Sequence, residues 1–293
     1  MYNTKFVAGF LLIILGLIWG SSFILMKIGL HALAPIQIAS LRIGIAGFSL
    51  LPFIIPYINR VEKKDRIWIF LTGLVGNGIP SFLFAYAQTS VSSSTTGALN
   101  SLTPIFALLT GLAIFRMSLD KYKMLGVMIG FIGSFVLLTW KANGELQFSP
   151  MALWIVLATF MYGLNVNILK LKLSKYPPLM IASLPLGTLF LPAVLIFFSF
   201  PLPNLNSQEV LQSVFAIGLL GIIGTAFALI LFNRLIQISS AVFASSVTYL
   251  IPFVALFIGW LDGEQVGWIQ LAAVLVIVIG ILIIRKGNKQ ENR

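Results

Sequence analysis

Apolar residues run through the chain in ten long blocks, at roughly 6–26, 35–57, 67–88, 93–115, 122–140, 150–169, 178–199, 210–233, 240–260 and 266–284. Each is close to the ~20 residues that a helix needs to cross the hydrocarbon of a bilayer. Hydrophobicity is continuous within a block, so the strands of a membrane barrel, which alternate apolar and polar over ~10 residues, do not fit. The breaks between blocks are turn-like or charged. The first block exceeds the apolar part of a signal peptide and has no small-x-small cleavage site behind it, so it reads as a retained helix. The pattern predicts an all-α integral membrane protein with ten transmembrane helices.

Composition narrows the classes further. Of 293 residues, 59% are apolar and 9% are charged, against about 25% charged in a soluble domain. Such a chain cannot clothe a soluble surface, which excludes a cytosolic enzyme, a secreted domain and a disordered chain. Cysteine is absent and His31 is the single histidine. That removes disulfides, thiolate metal sites, cysteine nucleophiles and multi-histidine metal centres. No Gly-x4-Gly-Lys-Ser/Thr loop occurs, so ATP drive from this chain is excluded. No cofactor, no metal and no catalytic residue is expected.

The net charge of +11 is a topology signal. With the N-terminus inside, sixteen Lys and Arg residues fall in cytoplasmic segments, from Lys5 through the 60–66, 116–123 and 170–175 loops to Arg234 and the C-terminal tail. Two, Lys27 and Lys141, fall outside, and Arg42 lies within a span. Cytoplasmic loops carry the excess of basic residues, so both termini are expected in the cytoplasm and the protein in the cytoplasmic membrane. Spread over six segments, the charge is no nucleic-acid footprint.

The chain also repeats itself. At an offset of 143 residues, Trp19-Gly20 through Lys27 matches Tyr162-Gly163 through Lys170, Pro35 matches Pro178, and Ile38-Ala39-Ser40-Leu41 matches Ile181-Ala182-Ser183-Leu184. Later in each half an offset of 148 pairs Pro104 with Pro252 and Gly111 with Gly259. The expected domains are a first five-helix repeat at 1–143, a second at 149–288 and a cytoplasmic tail at 289–293. Five is odd, so the second repeat must be inverted. Arg116 in an inner loop corresponds to Glu264 in an outer one, so the charge flips with the side. Inverted repeats with a site near the midplane are the usual build of secondary transporters.

Several of these pieces carry a resemblance: Trp-Gly-Ser-Ser with a later Lys (Trp19 to Lys27), Leu41-Arg42, the prolines at 104 and 252 with a polar turn beside them, and Gly263-Glu264. Together, in this order, they resemble the drug/metabolite transporter superfamily, and within it the ten-helix EamA-type carriers. The resemblance implies a carrier of small organic solutes and leans towards export of amino acids or related metabolites. Arg116 stands where a Glu is typical, so no role of that Glu passes to the first repeat.

Arg42 is the one charge well inside a span, about 10 Å from the outer end of its helix at ~1.5 Å per residue. Burying it costs at least ~2.5–3.5 kcal/mol. Two readings stand: a guanidinium that binds a carboxylate or phosphate by two parallel bonds, or one that snorkels to the outer headgroups. The matching residue is Pro185, so a site using Arg42 is chemically asymmetric. A second group is polar and paired across the repeats: Ser22 with Asn165, and Trp19 with Tyr162. Asn100 precedes Pro104, and Thr248 and Tyr249 precede Pro252, where a missing backbone donor frees a carbonyl that protein or a cavity must satisfy. The expected substrate-binding set is Trp19, Ser22, Arg42, Tyr86, Asn100, Tyr162, Asn165 and Tyr249. Lys27 is expected at the entry, and Pro104 and Pro252 as helix breaks.

All eight acids fall in loops or at helix ends, with Glu264 nearest a helix interior. Facilitated export, exchange and proton coupling through Glu264 all stay open. The leading expectation is a secondary carrier for a small-molecule solute in a lipid bilayer, as monomer or weak homodimer, working by alternating access. Its rivals are a polytopic enzyme acting on lipid-linked substrates and a passive channel.

Overall fold

The computed structural model describes residues 4–117, 121–140, 149–261 and 267–291. The helices are α1 (Thr4–Gly29), α2 (Pro35–Ile58), α3 (Lys63–Ala87), α4 (Ser93–Asn100), α5 (Thr103–Ala113), α6 (Lys121–Thr139), α7 (Ala152–Leu173), α8 (Pro178–Phe198), α9 (Gln208–Ile238), α10 (Ala241–Ser245), α11 (Ile251–Leu261) and α12 (Trp268–Glu291). No strand occurs among the described residues. Helix lies over every apolar block, because a backbone in hydrocarbon must close its own amides and carbonyls. Six helices, α1, α2, α3, α7, α8 and α9, are long and apolar enough to cross a membrane.

Two blocks expected as single helices are broken. The 93–115 block divides into α4 and α5, and the 240–260 block into α10, a 3-10 turn (Ser246–Tyr249) and α11. Pro104 and Pro252 sit in the first turn of the helix after each break, where a missing N–H is harmless. Hydroxyls take up the loose carbonyls: Thr103 Oγ1 donates to the Asn100 carbonyl at 2.7 Å and Thr248 Oγ1 to that of Ser245 at 2.9 Å. At the other extreme, α12 continues through Glu291 into the expected tail. Apolarity marks where the membrane would end, and a polar helix can run on beyond it. Asp262, Gly263 and Glu264 lie outside the described residues, as do Asp120, Lys141 and Glu145.

The helices pack in a regular scheme: α1 against α9 and α11, α7 against α3 and α5, α2 along α8, and α6 along α12. The last seam is made by small residues. A Cβ on Gly126 would lie 2.6 Å from the Gly280 carbonyl, and one on Gly133 2.8 Å from the Ala273 carbonyl. Without water to drive association, such backbone-close contacts are what holds membrane helices together.

One end of the bundle is tied by charge. Tyr176, in the α7–α8 turn, donates its hydroxyl to Asp65 at 2.7 Å, and the Glu62 amide donates to the Tyr176 oxygen at 3.1 Å. Lys175 pairs with both Asp65, at 2.7 Å, and Glu62. Asp65 and Glu62 hold the Lys175 ammonium above its ordinary range, and Lys175 and Lys64 hold the Glu62 carboxyl below its own. Neutral links among the described residues join other helix ends: Gln37 Nε2 donates to the Pro201 carbonyl at 2.9 Å and Ser213 Oγ to that of Ile28 at 2.8 Å.

The glycine seam gives a stability test. Gly126→Val should drive α6 and α12 apart and lower stability by about 1–3 kcal/mol, read as a lower unfolding midpoint in detergent. Gly9→Ala, which would place its Cβ against nothing within 4 Å, should leave the midpoint in place.

Candidate functional site

A cavity of about 800 Å³, counted with its mouth, lies at the centre of the bundle and is walled chiefly by α1, α2, α3, α7 and α9, with Asn100, Thr103, Ser245 and Thr248 reaching it from the two broken helices. Trp19, Ser22, Arg42, Asn100, Tyr162 and Asn165 line it together. The other two residues of the expected set do not. Tyr249 is fully buried away from it, its hydroxyl donating to the Val127 carbonyl at 3.1 Å, so it fastens α6 to the α10–α11 break. Tyr86 is 46% exposed on the outside of α3, whereas Phe84, two residues earlier, faces in. Lys27 is exposed in the last turn of α1 and does not line the cavity.

Two irregular turns shape the walls. In α3, residues Leu74–Gly78 form a π-turn, and in α9 residues Ile222–Phe227 form another. A π-turn widens the helix by one residue and commonly marks a functional site. In α9 the Ala228 amide reaches back to the Ile223 carbonyl, and the Gly224 carbonyl accepts the Trp19 indole N–H instead, at 3.0 Å. In α3, Pro80 lacks the N–H that would have served the Gly76 carbonyl. Both turns carry a glycine that a polar side chain approaches closely. A Cβ on Gly76 would lie 2.3 Å from Asn165 Nδ2, and one on Gly224 would lie 3.1 Å from Ser22 Oγ.

Arg42 projects inward from α2. Its Nε donates to Thr225 Oγ1 at 2.8 Å, and Thr225 Oγ1 donates in turn to the Leu220 carbonyl at 2.9 Å. The guanidinium is therefore held by α9. No ion pair among the described residues includes Arg42, and the Tyr162 phenol lies within electrostatic reach of it. Tyr162 stacks on Phe84 with ring centroids 5.8 Å apart, and Trp19 meets Phe232 edge-on at 5.0 Å. Asn165 Oδ1 is buried without a hydrogen-bond partner. The cavity thus offers one fixed positive charge, several amides and hydroxyls, and an aromatic wall. That combination suits a small amphipathic molecule with an anionic group.

Six lining residues with polar or special chemistry escaped the sequence reading: Gly76, Asn77, Thr103, Gly224, Thr225 and Ser245. A signal existed. Asn77 is an amide in an apolar run, and the 148-residue offset that pairs Pro104 with Pro252 also pairs Gly76-Asn77 with Gly224-Thr225.

With this geometry in view, the comparisons with known proteins are informative. The model of the EamA-like transporter family matches twice, over residues 7–139 and 149–286. The chain belongs to the EamA-like transporter family. It is 27% identical over 279 residues to the uncharacterised transporter YoaV of Bacillus subtilis (strain 168), covering 91% of this chain and 92% of that one. It is 25% identical over 294 residues to the uncharacterised inner membrane transporter YedA of Escherichia coli (strain K12), covering 93% and 88%. A Salmonella typhimurium protein named a "probable amino-acid metabolite efflux pump" is 23% identical over 291 residues, covering 94% and 93%. One solved crystal structure shares the fold, with a TM-score of 0.74 at 17% identity over 98% of this chain and 99% of that one. This EamA-like protein is accordingly a multi-pass membrane protein, of a family of solute transporters.

The contact between Gly76 and Asn165 is open to a direct test. Gly76→Ala should cost about 1–3 kcal/mol by overpacking. Adding Asn165→Ser, the residue found at the matching position 22, should restore the wild-type unfolding midpoint. Equal destabilisation of the single and double variants would mean that the glycine serves something other than Asn165.

Proposed function

We propose that this EamA-like protein is a secondary carrier of the cytoplasmic membrane. It exports a small organic anion, an amino acid or a related metabolite, by alternating access between two inverted five-helix halves. Residues 1–143 and 149–288 form the halves, with ten membrane crossings and both termini in the cytoplasm. The observation that carries the reading is the make-up of the cavity wall. Seven lining pairs are related by the two repeat offsets: Trp19 with Tyr162, Ser22 with Asn165, Phe23 with Val166, Gly76 with Gly224, Asn77 with Thr225, Phe84 with Phe232, and Asn100 with Thr248. The packing scheme also survives exchange of the halves. The pair α1–α9 becomes α7–α3, α1–α11 becomes α7–α5, and α2–α8 and α6–α12 map onto themselves. A site walled equally by two such halves can face either side as one half rocks on the other.

Charge supports the anionic solute. An Arg held inside a membrane helix costs several kcal/mol unless something compensates it, and the Thr225 hydroxyl is neutral. A solute carboxylate would complete the pair. The aromatic wall of Phe84, Tyr162, Trp19 and Phe232 favours a solute with an apolar portion. The name of the Salmonella relative supports an amino-acid metabolite and the outward direction, and the basic inner loops support the orientation. The absence of any acid near Arg42 among the described residues favours facilitated export or exchange over proton coupling through a buried carboxylate.

Counterflow in liposomes tests this. A pooled panel of labelled amino acids and organic acids should contain a solute whose uptake saturates and requires trans solute. Arg42→Ala should then reduce that uptake at least tenfold, since a hydrogen bond to a charged group contributes about 1.5–3 kcal/mol. Flux that never saturates would mean a channel, and flux unchanged by the substitution would remove Arg42 from the site.

A further inference from the structure

The hydrogen-bond chain on Arg42 goes further than the presence of a positive charge. A guanidinium can meet a carboxylate through its terminal Nη1–Nη2 edge or through its Nε–Nη edge, each by two parallel bonds. Here Nε is already committed to Thr225 Oγ1, at 2.8 Å. Thr225 is itself fixed: it is buried, and its proton is donated to the Leu220 carbonyl five residues back. A five-residue reach fits the wide turn of Ile222–Phe227, in which Thr225 lies. Gly221, a turn earlier, lets α9 close on α2 beside Arg42, since a Cβ there would lie 3.1 Å from the Arg42 carbonyl. The same π-turn presents the Gly224 carbonyl to Trp19. One widened turn of α9 therefore orients both the cation and the indole of the cavity.

We propose that Thr225 is the positioning residue for Arg42 and that it sets solute selectivity by leaving the terminal Nη1–Nη2 edge as the edge offered to the anion. This rests on the reading of Arg42 as the anion contact and adds its geometry. The carboxylate is met end-on, in the plane of the guanidinium, and the apolar remainder of the solute is directed toward the aromatic wall. Thr225 does not itself touch the solute carboxylate. The matching turn in α3 carries Asn77, and the position matching Arg42 is Pro185, so the device exists on one side of the cavity only. The selectivity it confers is for planar carboxylates over the corresponding neutral amides.

The test uses purified full-length protein and a panel of monocarboxylates (acetate, 4-methylpentanoate, benzoate, phenylacetate), each paired with its amide. Wild type should be stabilised against heat by at least one carboxylate and not by its amide, and Arg42→Ala should abolish that difference. Thr225→Val keeps the shape and removes the hydroxyl, so the apparent affinity for the carboxylate should fall about tenfold while the amide stays unchanged. Thr225→Ser should restore wild-type affinity. If Thr225→Val does not accumulate in the membrane, Thr225→Ala removes the same hydroxyl and is read in its place. Carboxylate preference that survives loss of the hydroxyl, with Arg42→Ala still inactive, would overturn the positioning role and leave the anion site standing. A carboxylate preference that survives Arg42→Ala, or no preference in wild type, would overturn both.

Discussion

Inside a bilayer every backbone amide and carbonyl has to find a partner within the protein, and the architecture follows from where that rule is kept and where it is relaxed. Along α1, α2 and α8 the helices are unbroken. Around the cavity it is relaxed at the π-turns of α3 and α9 and at the breaks before Pro104 and Pro252, and away from it at the π-turn Leu169–Leu173 that ends α7 and at the prolines inside α2 and α8. At the cavity side chains take over backbone contacts, as Trp19 does at Gly224, Thr103 at Asn100 and Thr248 at Ser245. Irregular backbone in a membrane is tolerated only against protein or a polar cavity, so the irregular turns at the cavity wall and the site have a common origin.

The proposed carrier is symmetric in its walls and asymmetric in its chemistry. Paired residues on both halves give two equivalent surfaces for rocking, whereas Arg42 has no counterpart, since the matching position carries Pro185, and Thr225 is matched by an Asn77 with no such cation to hold. The two ends differ as well. Tyr176 and Lys175 close one end on Asp65 and Glu62 through ionic contacts. At the 148-residue offset Asp65 corresponds to Ser213, which donates a single neutral bond to the Ile28 carbonyl. Partly exposed ion pairs are each worth little, yet among the described residues they cluster at one end, a difference that the balance between inward and outward forms would feel.

Much of the membrane architecture was legible in the sequence, because length and continuity of apolar runs decide it almost alone. The family was legible too, from motifs whose order mattered more than any one of them. The site was legible in part, and the reason is chemical. Arg42, Asn100, Ser22 and Asn165 stand out as polar residues in apolar runs, and the repeat tied Trp19 to Tyr162. Thr225 and Asn77 carried the same signal but sit in π-turns, whose one-residue widening cannot be read from a 3.6-residue period. Phe84, Phe232 and Met26 were invisible, since an aromatic or thioether facing a cavity has the same sequence appearance as one facing lipid. Tyr86 was misplaced for that reason, two residues from the face that matters. Tyr249 was misplaced because a polar ring beside a proline break looked unsatisfied, whereas the Val127 carbonyl satisfies it.

Alternating access itself is most directly read from which side the cavity can be reached, and a chain without cysteine is suited to it. Single substitutions Phe84→Cys and Ser245→Cys, both on the cavity wall and, in the proposed topology, near the outer and the inner end of their spans respectively, would be probed in sealed vesicles with a membrane-impermeant maleimide added to one side at a time. Rocking of two halves predicts that each cysteine is labelled from one side, the two from opposite sides, and that a solute active in counterflow moves the two rates in opposite directions. Labelling of both cysteines from both sides at once, insensitive to solute, would contradict it and describe an open pore.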